Sequence, residues 1–329
     1  MKAICAFSSD SRSLYKADIY RVLSLPSGGI VHFRYKNKYV SDEIINSKTS
    51  LEDKRVAIFF TRTEISGLSP GTHENISIRW APVFSVEKSS ETDVFHIYMK
   101  LGEFCNLSIN AAESEPGPPT KFLSYLEVQE RTESNNWHDR IKAIKDYFPN
   151  LTYFHLKSLV KDGKEIQLSY HGESRSSFYE LRYGSRYILR LGLANPDGSS
   201  TKIAISDGPG DVAINSVIPL ETSVQFDDVE VPIFAKSLQV TKQASFLEIK
   251  PVNSNESFGE YATHIELELK HAPSKPFLFG LCTVAIGAAI TMATPIAATA
   301  TRPDWPIYVT SAFLLGGASA LMFYWFNKK

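Results

Sequence analysis

The chain contains few cysteines and no excess of basic residues. Three cysteines, Cys5, Cys105 and Cys282, are far apart among its 329 residues. This spacing excludes a framework of disulfide bonds and is typical of a reducing compartment. Lysine and arginine number 35 against 36 acidic residues, a formal net charge of −1. Residues 1–270 carry about −4, a balance that does not indicate a generic nucleic-acid-binding surface.

The familiar catalytic and metal-binding motifs are also missing. We find no phosphate-binding glycine loop or dinucleotide fingerprint, no nucleophile elbow, and no metalloprotease helix or paired-cysteine site. Of eight scattered histidines, His32, His96, His155 and His264 lie in strand-like runs, where hydrogen-bonded sheet residues are commoner than ligands. We therefore predict that the protein is not an enzyme and has no catalytic residues, cofactor or metal. An active site assembled from residues distant in sequence is the alternative.

Charge is absent from two long stretches near the C-terminus. Residues 276–294 and 307–326 contain no charged side chain. As helices rising about 1.5 Å per residue, each reaches roughly 30 Å, the thickness of a bilayer's hydrocarbon core. Three prolines interrupt the intervening residues 295–306, where a helix should stop and turn. The pattern predicts a transmembrane helix hairpin; a buried helical hairpin inside a soluble core is the alternative.

The basic residues around this segment predict its orientation. Lys270 and Lys275 precede the first run, Lys328 and Lys329 follow the second, and the turn contains only Arg302. By the positive-inside rule, both termini are expected in the cytoplasm and the turn outside it. The N-terminus has too few consecutive apolar residues for a signal peptide. We therefore expect a multi-pass protein of the cell inner membrane, with the large N-terminal part cytoplasmic.

Small residues recur at four-residue spacing in both runs, which allows membrane helices to approach closely. The candidate packing positions are Ala285, Ala289 and Ala293 in the first run and Ala312, Gly316 and Ala320 in the second. One row could close the hairpin, and another could join neighbouring copies of the chain. The alternative is that small residues are simply common in membrane helices.

The rest of the chain is predicted to be mainly β, as antiparallel sandwich or barrel domains with one soluble helix. Residues 1–111 and 150–270 contain short runs rich in β-branched and aromatic residues, separated by turn formers. Residues 112–149 form a proline-rich break and an amphipathic helix. Its apolar residues recur at helical spacing: Trp137, Ile141, Ile144 and Phe148. This face is expected to pack on a sheet, with partner binding as the alternative.

This layout, a β-rich region followed by the two spans, resembles the two-transmembrane effectors of bacterial anti-phage systems, most of all the membrane effectors of retrons. The resemblance covers the whole chain but rests on domain order rather than on a motif. It implies an abortive-infection toxin that is held inactive by a reverse transcriptase and its RNA–DNA product, and that damages the bilayer through self-association. Two alternatives are a cyclic-nucleotide-responsive membrane effector and a non-toxic membrane-anchored scaffold.

Overall fold

The computed structural model describes residues 1–46, 51, 53–62, 73–89, 91–109, 120–131, 135–148, 151–196, 202–216, 218–222, 224–236, 242–252 and 259–270. Within these ranges the chain forms three β-sheets and three short α-helices. The prediction of a mainly β protein is therefore confirmed. No helix in the described ranges is long and apolar enough to cross a membrane. The predicted hairpin, with spans 276–294 and 307–326, lies outside the described residues, as does the proline-rich stretch 112–119.

The first sheet has seven strands. They are β1 (Lys2–Ser9), β2 (Ile30–Lys36), β3 (Arg55–Arg62), β4 (Glu74–Ser89), β5 (Val94–Lys100), β6 (Leu107–Ile109) and β7 (Leu123–Glu130). Their spatial order is β2-β5-β4-β3-β1-β7-β6. Strands β1 and β3 pair in parallel, and the other neighbours pair antiparallel. Because β1 and β3 run in the same direction, the chain leaves both strands at the same edge of the sheet.

This sheet curls so that the chain just after β2, at one edge of the sheet, meets β7, which lies next to the opposite edge. Just after β2, Val40 forms a parallel bridge with Leu123 of β7. The amide of Ser41 donates to the carbonyl of Leu123 at 2.8 Å, and the amide of Phe122 donates to the carbonyl of Tyr39 at 2.7 Å. The sheet thus approaches a barrel that is closed at this point and open along the outer edge of β2.

Two further sheets are built from residues 151–270. Their strands are β8 (Tyr153–Lys161), β9 (Lys164–Glu165), β10 (Leu168–His171), β11 (Ser176–Arg182), β12 (Arg186–Ala194), β13 (Lys202–Asp207), β14 (Val212–Ile214), β15 (Leu220–Glu221), β16 (Phe226–Ala235), β17 (Lys242–Val252) and β18 (Thr263–Lys270). One sheet has the order β14-β16-β12-β8-β9 and the other β10-β11-β18-β17-β13-β15. Alternate residues of both, such as Leu189 and Leu191 in β12 and Leu247 and Ile249 in β17, are buried in one continuous core.

The expectation of a single helix in residues 1–270 is wrong, because the described residues contain three α-helices. Helix α1 (Ser13–Ser24) connects β1 to β2, and a short α2 (Asp42–Ile45) follows β2. Helix α1 is buried on more than one side: Ile19, Tyr20, Val22 and Leu23 are fully buried, and Tyr20 Oη donates to the carbonyl of Thr152 at 2.8 Å. A surface helix is recognised in a sequence by a narrow apolar stripe. Because α1 is buried on several sides, its sequence does not show such a stripe.

The region expected to hold a break and one helix also contains a strand, β7, which pairs with β1. Helix α3 (Trp137–Ile144) follows it and begins at Asn136, whose side chain accepts a hydrogen bond from the amide of Asp139. Trp137, Ile141 and Ile144 are buried in the core. The predicted apolar face therefore packs inward, as expected of a core helix.

Candidate functional site

Of the residues singled out in the C-terminal part, only Lys270 lies in the described region. Those outside it are Lys275, Ala285, Ala289, Ala293, Arg302, Ala312, Gly316, Ala320, Lys328 and Lys329. Lys270 is the last residue of β18. It is therefore the point from which the chain continues toward the predicted membrane spans.

Lys270 belongs to an ion-pair network that links three strands. Its ammonium lies 2.7 Å from Glu180 Oε2 in β11 and 2.8 Å from Glu268 Oε1 in β18, while Lys242 of β17 lies 2.7 Å from Glu268 Oε2. The Glu268 side chain is only 5% exposed. Burial acts to raise its pKa, but the hydrogen bonds from Lys242 and Lys270 outweigh burial and hold the pKa below its usual value. The network ties the end of β18 to both neighbouring strands.

A buried arginine organises the contact between α1 and the first sheet. Arg79 of β4 is fully buried, and no carboxylate lies within 4 Å of it among the described residues. Its guanidinium donates to the carbonyls of Val22, Leu25 and Gly102 at 3.1, 2.8 and 2.6 Å and to Ser27 Oγ at 3.0 Å. Two of these carbonyls belong to the C-terminal end of α1, where a cation opposes the negative end of the helix dipole. Burial lowers the pKa of Arg79 to about 9.

His155 of β8 lies beside the same helix end. Its Nδ1 is 3.1 Å from the carbonyl oxygen of Leu23, so Nδ1 carries the proton and donates. Burial, and next the charge of Arg79, lower the pKa of His155 to about 3. The ring is therefore neutral at physiological pH, and its role as a hydrogen-bonded sheet residue is the one predicted. Together Arg79 and His155 form hydrogen bonds with the carbonyls of Val22, Leu23 and Leu25 at the C-terminal end of α1.

His32 and His96 form a cross-strand pair on β2 and β5. His32 Nε2 lies 2.9 Å from His96 Nδ1, and the His32 ring stacks on Tyr98 with centroids 4.3 Å apart. The guanidinium of Arg175 lies over the Tyr98 ring, with its central carbon 4.9 Å from the ring centroid. Burial and the neighbouring His96 lower the pKa of His32 to about 4. Within the described ranges no group of three side chains that could hold a metal ion is found.

A cavity of about 500 Å³ occupies the open seam of the first sheet, between β2 and the end of β1. We call it the seam cavity. Tyr35 spans its floor, donating from Oη to the carbonyl of Phe7 at 3.0 Å. Its polar lining consists mainly of hydroxyl and basic side chains: Ser8, Ser9, Ser11, Arg12, Arg34 and Lys36. The sequence alone does not indicate this site, because its two halves, around residues 7–18 and 33–39, come close together only through the curl of the sheet.

The charge in the seam cavity is predominantly positive. Arg12, Arg34 and Lys36 have no carboxylate within 4 Å among the described residues, whereas Asp18 is held by Arg21, with Arg21 Nη1 3.0 Å from Asp18 Oδ1. Burial raises the pKa of the Asp18 carboxyl to about 6 against the lowering effect of Arg21 and Arg34. Perturbed pKa values of this kind concentrate at functional sites. The seam cavity is the candidate binding site of the described region.

No known family matches this chain, and no curated protein matches it either. Several solved structures show weak similarity, and two examples follow. One is domains 4 and 5 of the S-layer protein SbsC, with a TM-score of 0.21 and 8% identity over 35% of this chain and 55% of that one. The other is the periplasmic chaperone SfaE, with a TM-score of 0.21 and 12% identity over 28% of this chain and 52% of that one. The chain thus matches about half the length of each.

Proposed function

We propose that this protein is a membrane effector of a bacterial anti-phage abortive-infection system. Residues 1–270 form the regulatory part, and the segment 276–326 forms a two-helix hairpin that disrupts the inner membrane. The observation that carries the proposal is the pair of charge-free runs that begins shortly after the end of β18. Each run has the length and composition of a membrane-spanning helix.

The ion pairs of Lys270 support a mechanical role for this junction. Lys270 pairs with Glu180 of β11, and Glu268 pairs with Lys242 of β17, so the end of β18 is fixed to both neighbouring strands. A displacement of the sheet is therefore transmitted directly to the chain that follows. Two helices cannot enclose a water path by themselves, so disruption requires several copies side by side. The Gly316 row supplies the close contact between them. The protein acts without catalysing a reaction.

Control by a partner completes the proposal. In the retron arrangement, a reverse transcriptase with its RNA–DNA product holds the effector inactive until infection. The net charge of about −4 over residues 1–270 favours contact with the protein component rather than with bare nucleic acid. The seam cavity favours a second candidate, an effector released by a cyclic nucleotide. A membrane-anchored scaffold that leaves the bilayer intact is the third.

Controlled expression in bacteria tests the proposal. Induction of the whole chain without its partner should stop growth and collapse the membrane potential reported by a voltage-sensitive dye. Gly316→Leu should insert normally but abolish crosslinked multimers and depolarisation, because leucine keeps the backbones apart without reducing hydrophobicity. Leu315→Ile, one residue further round the helix, is the matched control and should behave like the parent. Normal growth with an intact potential at equal expression would instead favour the scaffold.

A further inference from the structure

The seam cavity combines size and position in a way that indicates a small-molecule site. Its volume of about 500 Å³ lies within the range of small-molecule pockets, about 300–1,000 Å³. It adjoins the carboxyl end of β1, where the amide of Asp10 donates to the carbonyl of Thr61 at the end of the parallel strand β3. Ligands of sheets with parallel strands commonly bind beyond these carboxyl ends.

The charged groups of the cavity favour an anion. Arg34 and Lys36 are alternate residues of β2, so both side chains project from the same face of the strand. Arg12 approaches from the loop before α1. Guanidinium groups bind phosphate through paired hydrogen bonds, and three cations without ion-pair partners in the described region leave charge available. The single carboxylate, Asp18, is already engaged by Arg21.

Donor groups beside these cations suit phosphoryl oxygens. Ser9 Oγ and Ser11 Oγ lie 2.7 Å apart, and one of the two hydroxyls donates to the other. Helix α1 starts directly after this loop with no side-chain cap and no acidic residue in its first turn. The positive end of the helix is therefore not neutralised from within the helix, which adds to the field of the three basic side chains.

Aromatic rings complete the lining. Tyr39 and Phe122 pack edge to face with centroids 5.6 Å apart, and Tyr39 is exposed at the cavity mouth. Tyr15 lines the helix side. Such rings offer flat apolar surface to a planar group, and base–aromatic stacking is worth about 1–3 kcal/mol. We infer that the seam cavity binds a soluble nucleotide, with its phosphate on Arg12, Arg34 and Lys36 and its base against the aromatic rings.

This inference concerns residues 7–39 and 122 and stands whether or not the C-terminal segment damages membranes. The test uses the full chain purified in nonionic detergent micelles. AMP, GMP, CMP and UMP are each titrated by calorimetry, with adenosine, inorganic phosphate and glycerol 3-phosphate, a soluble stand-in for a lipid headgroup, as separate comparisons. At least one nucleotide should bind with a Kd below about 1 mM, more tightly than adenosine or phosphate alone. Binding should weaken as salt rises.

Substitutions locate the binding. Arg34→Gln and Lys36→Gln change exposed residues of β2, so folding should be retained, and each should weaken nucleotide binding by about tenfold or more. Lys88→Gln, an exposed lysine of β4 outside the cavity, is the matched control and should leave binding unchanged. Failure of all four nucleotides to bind, equal effects of Arg34→Gln and Lys88→Gln, or binding to phosphate or glycerol 3-phosphate in place of nucleotides would each overturn the inference.

Discussion

Replacing Arg79 by methionine should destabilise the protein far more than removing any exposed arginine. Methionine has similar length and retains apolar contact, but it cannot donate hydrogen bonds. The carbonyls of Val22, Leu25 and Gly102 would then lose the donor that now lies 2.6–3.1 Å away. All three surround a fully buried side chain, so water does not readily replace the guanidinium.

The size of the effect follows from these contacts. A buried acceptor left without a partner costs about 1–3 kcal/mol, which gives roughly 3–6 kcal/mol for the three carbonyls if the lower part of that range applies. Removing a buried cation recovers part of this, because its desolvation no longer has to be offset. We therefore expect a net loss of about 2–4 kcal/mol. For a domain of this size, the loss corresponds to a Tm lower by roughly 5–15 °C.

Thermal unfolding of the full chain in nonionic detergent, followed by near-ultraviolet circular dichroism, measures this change. Arg55→Met is the control, because the Arg55 and Glu103 side chains are 52% and 72% exposed although their ion pair is 2.6 Å long. An exposed pair contributes about 0–1 kcal/mol. If Arg79→Met lowers Tm no more than Arg55→Met does, the buried guanidinium does not hold the end of α1 as described.

Three further predictions concern other parts of the chain. Burial raises the pKa of Asp18 from 3.8 to about 6, so the native state binds a proton more readily than the unfolded state and loses stability as pH rises through that window. The Tm of Asp18→Asn minus the Tm of the parent should therefore be larger at pH 8 than at pH 4. An equal Tm difference at both pH values would contradict this. Glu268→Gln should lower Tm by about 3–5 °C because it breaks the ion pairs of a nearly buried carboxylate with Lys242 and Lys270. The control Glu180→Gln, at a side chain 47% exposed, should have the smaller effect. A reporter active only outside the cytoplasm should work when inserted beside Arg302 and fail after Lys329, and activity at the C-terminus would reverse the orientation.

Much of the first sheet could be predicted from local sequence. Runs such as 54–61 and 92–101 are dense in β-branched and aromatic residues, and each coincides closely with a strand. Helix α1 escaped prediction because Ile19, Tyr20 and Val22 are residues that favour strands. Their helical conformation is stabilised by burial against elements distant in sequence, including the contact from Tyr20 to Thr152. Tertiary packing here overrides local preference.

Strand β16 is hard to predict from the sequence for a related reason. Its acidic residues Asp227, Asp228 and Glu230 and its proline, Pro232, are unusual for an interior strand, yet it pairs with β12 on one side and β14 on the other. Only alternate residues from Val231 onward are buried. Asp228, Glu230 and Pro232 are exposed on the outer face, whereas Asp227 shares the face of Val231 but is only partly buried. The burial signal therefore occupies less than half of the strand.

The seam cavity and the Arg79 site depend on contacts between residues distant in sequence, and they do so more than the strands do. The seam cavity requires the meeting of Val40 and Leu123, which no local pattern encodes. Arg79 did leave a signal, because it is the one charged residue in the apolar run 76–83. An isolated charge within such a run can indicate a bulge or a buried hydrogen-bonding centre. Here Arg79 donates hydrogen bonds inside the core, and the pairing of β3 with β4 also shifts register beside it, between Ile58 and Phe59.

Dye release from lipid vesicles tests the central proposal most directly, because it needs only the protein and a bilayer. Purified full-length chain added to vesicles of bacterial lipid should release an entrapped fluorescent dye, with a steep dependence on protein concentration that reflects assembly of several copies. The same chain ending at Lys270 should release none, and Gly316→Leu should release far less than the parent. Equal release by the chain ending at Lys270, or no release by the full-length chain at any concentration, would contradict the proposed action of the C-terminal hairpin.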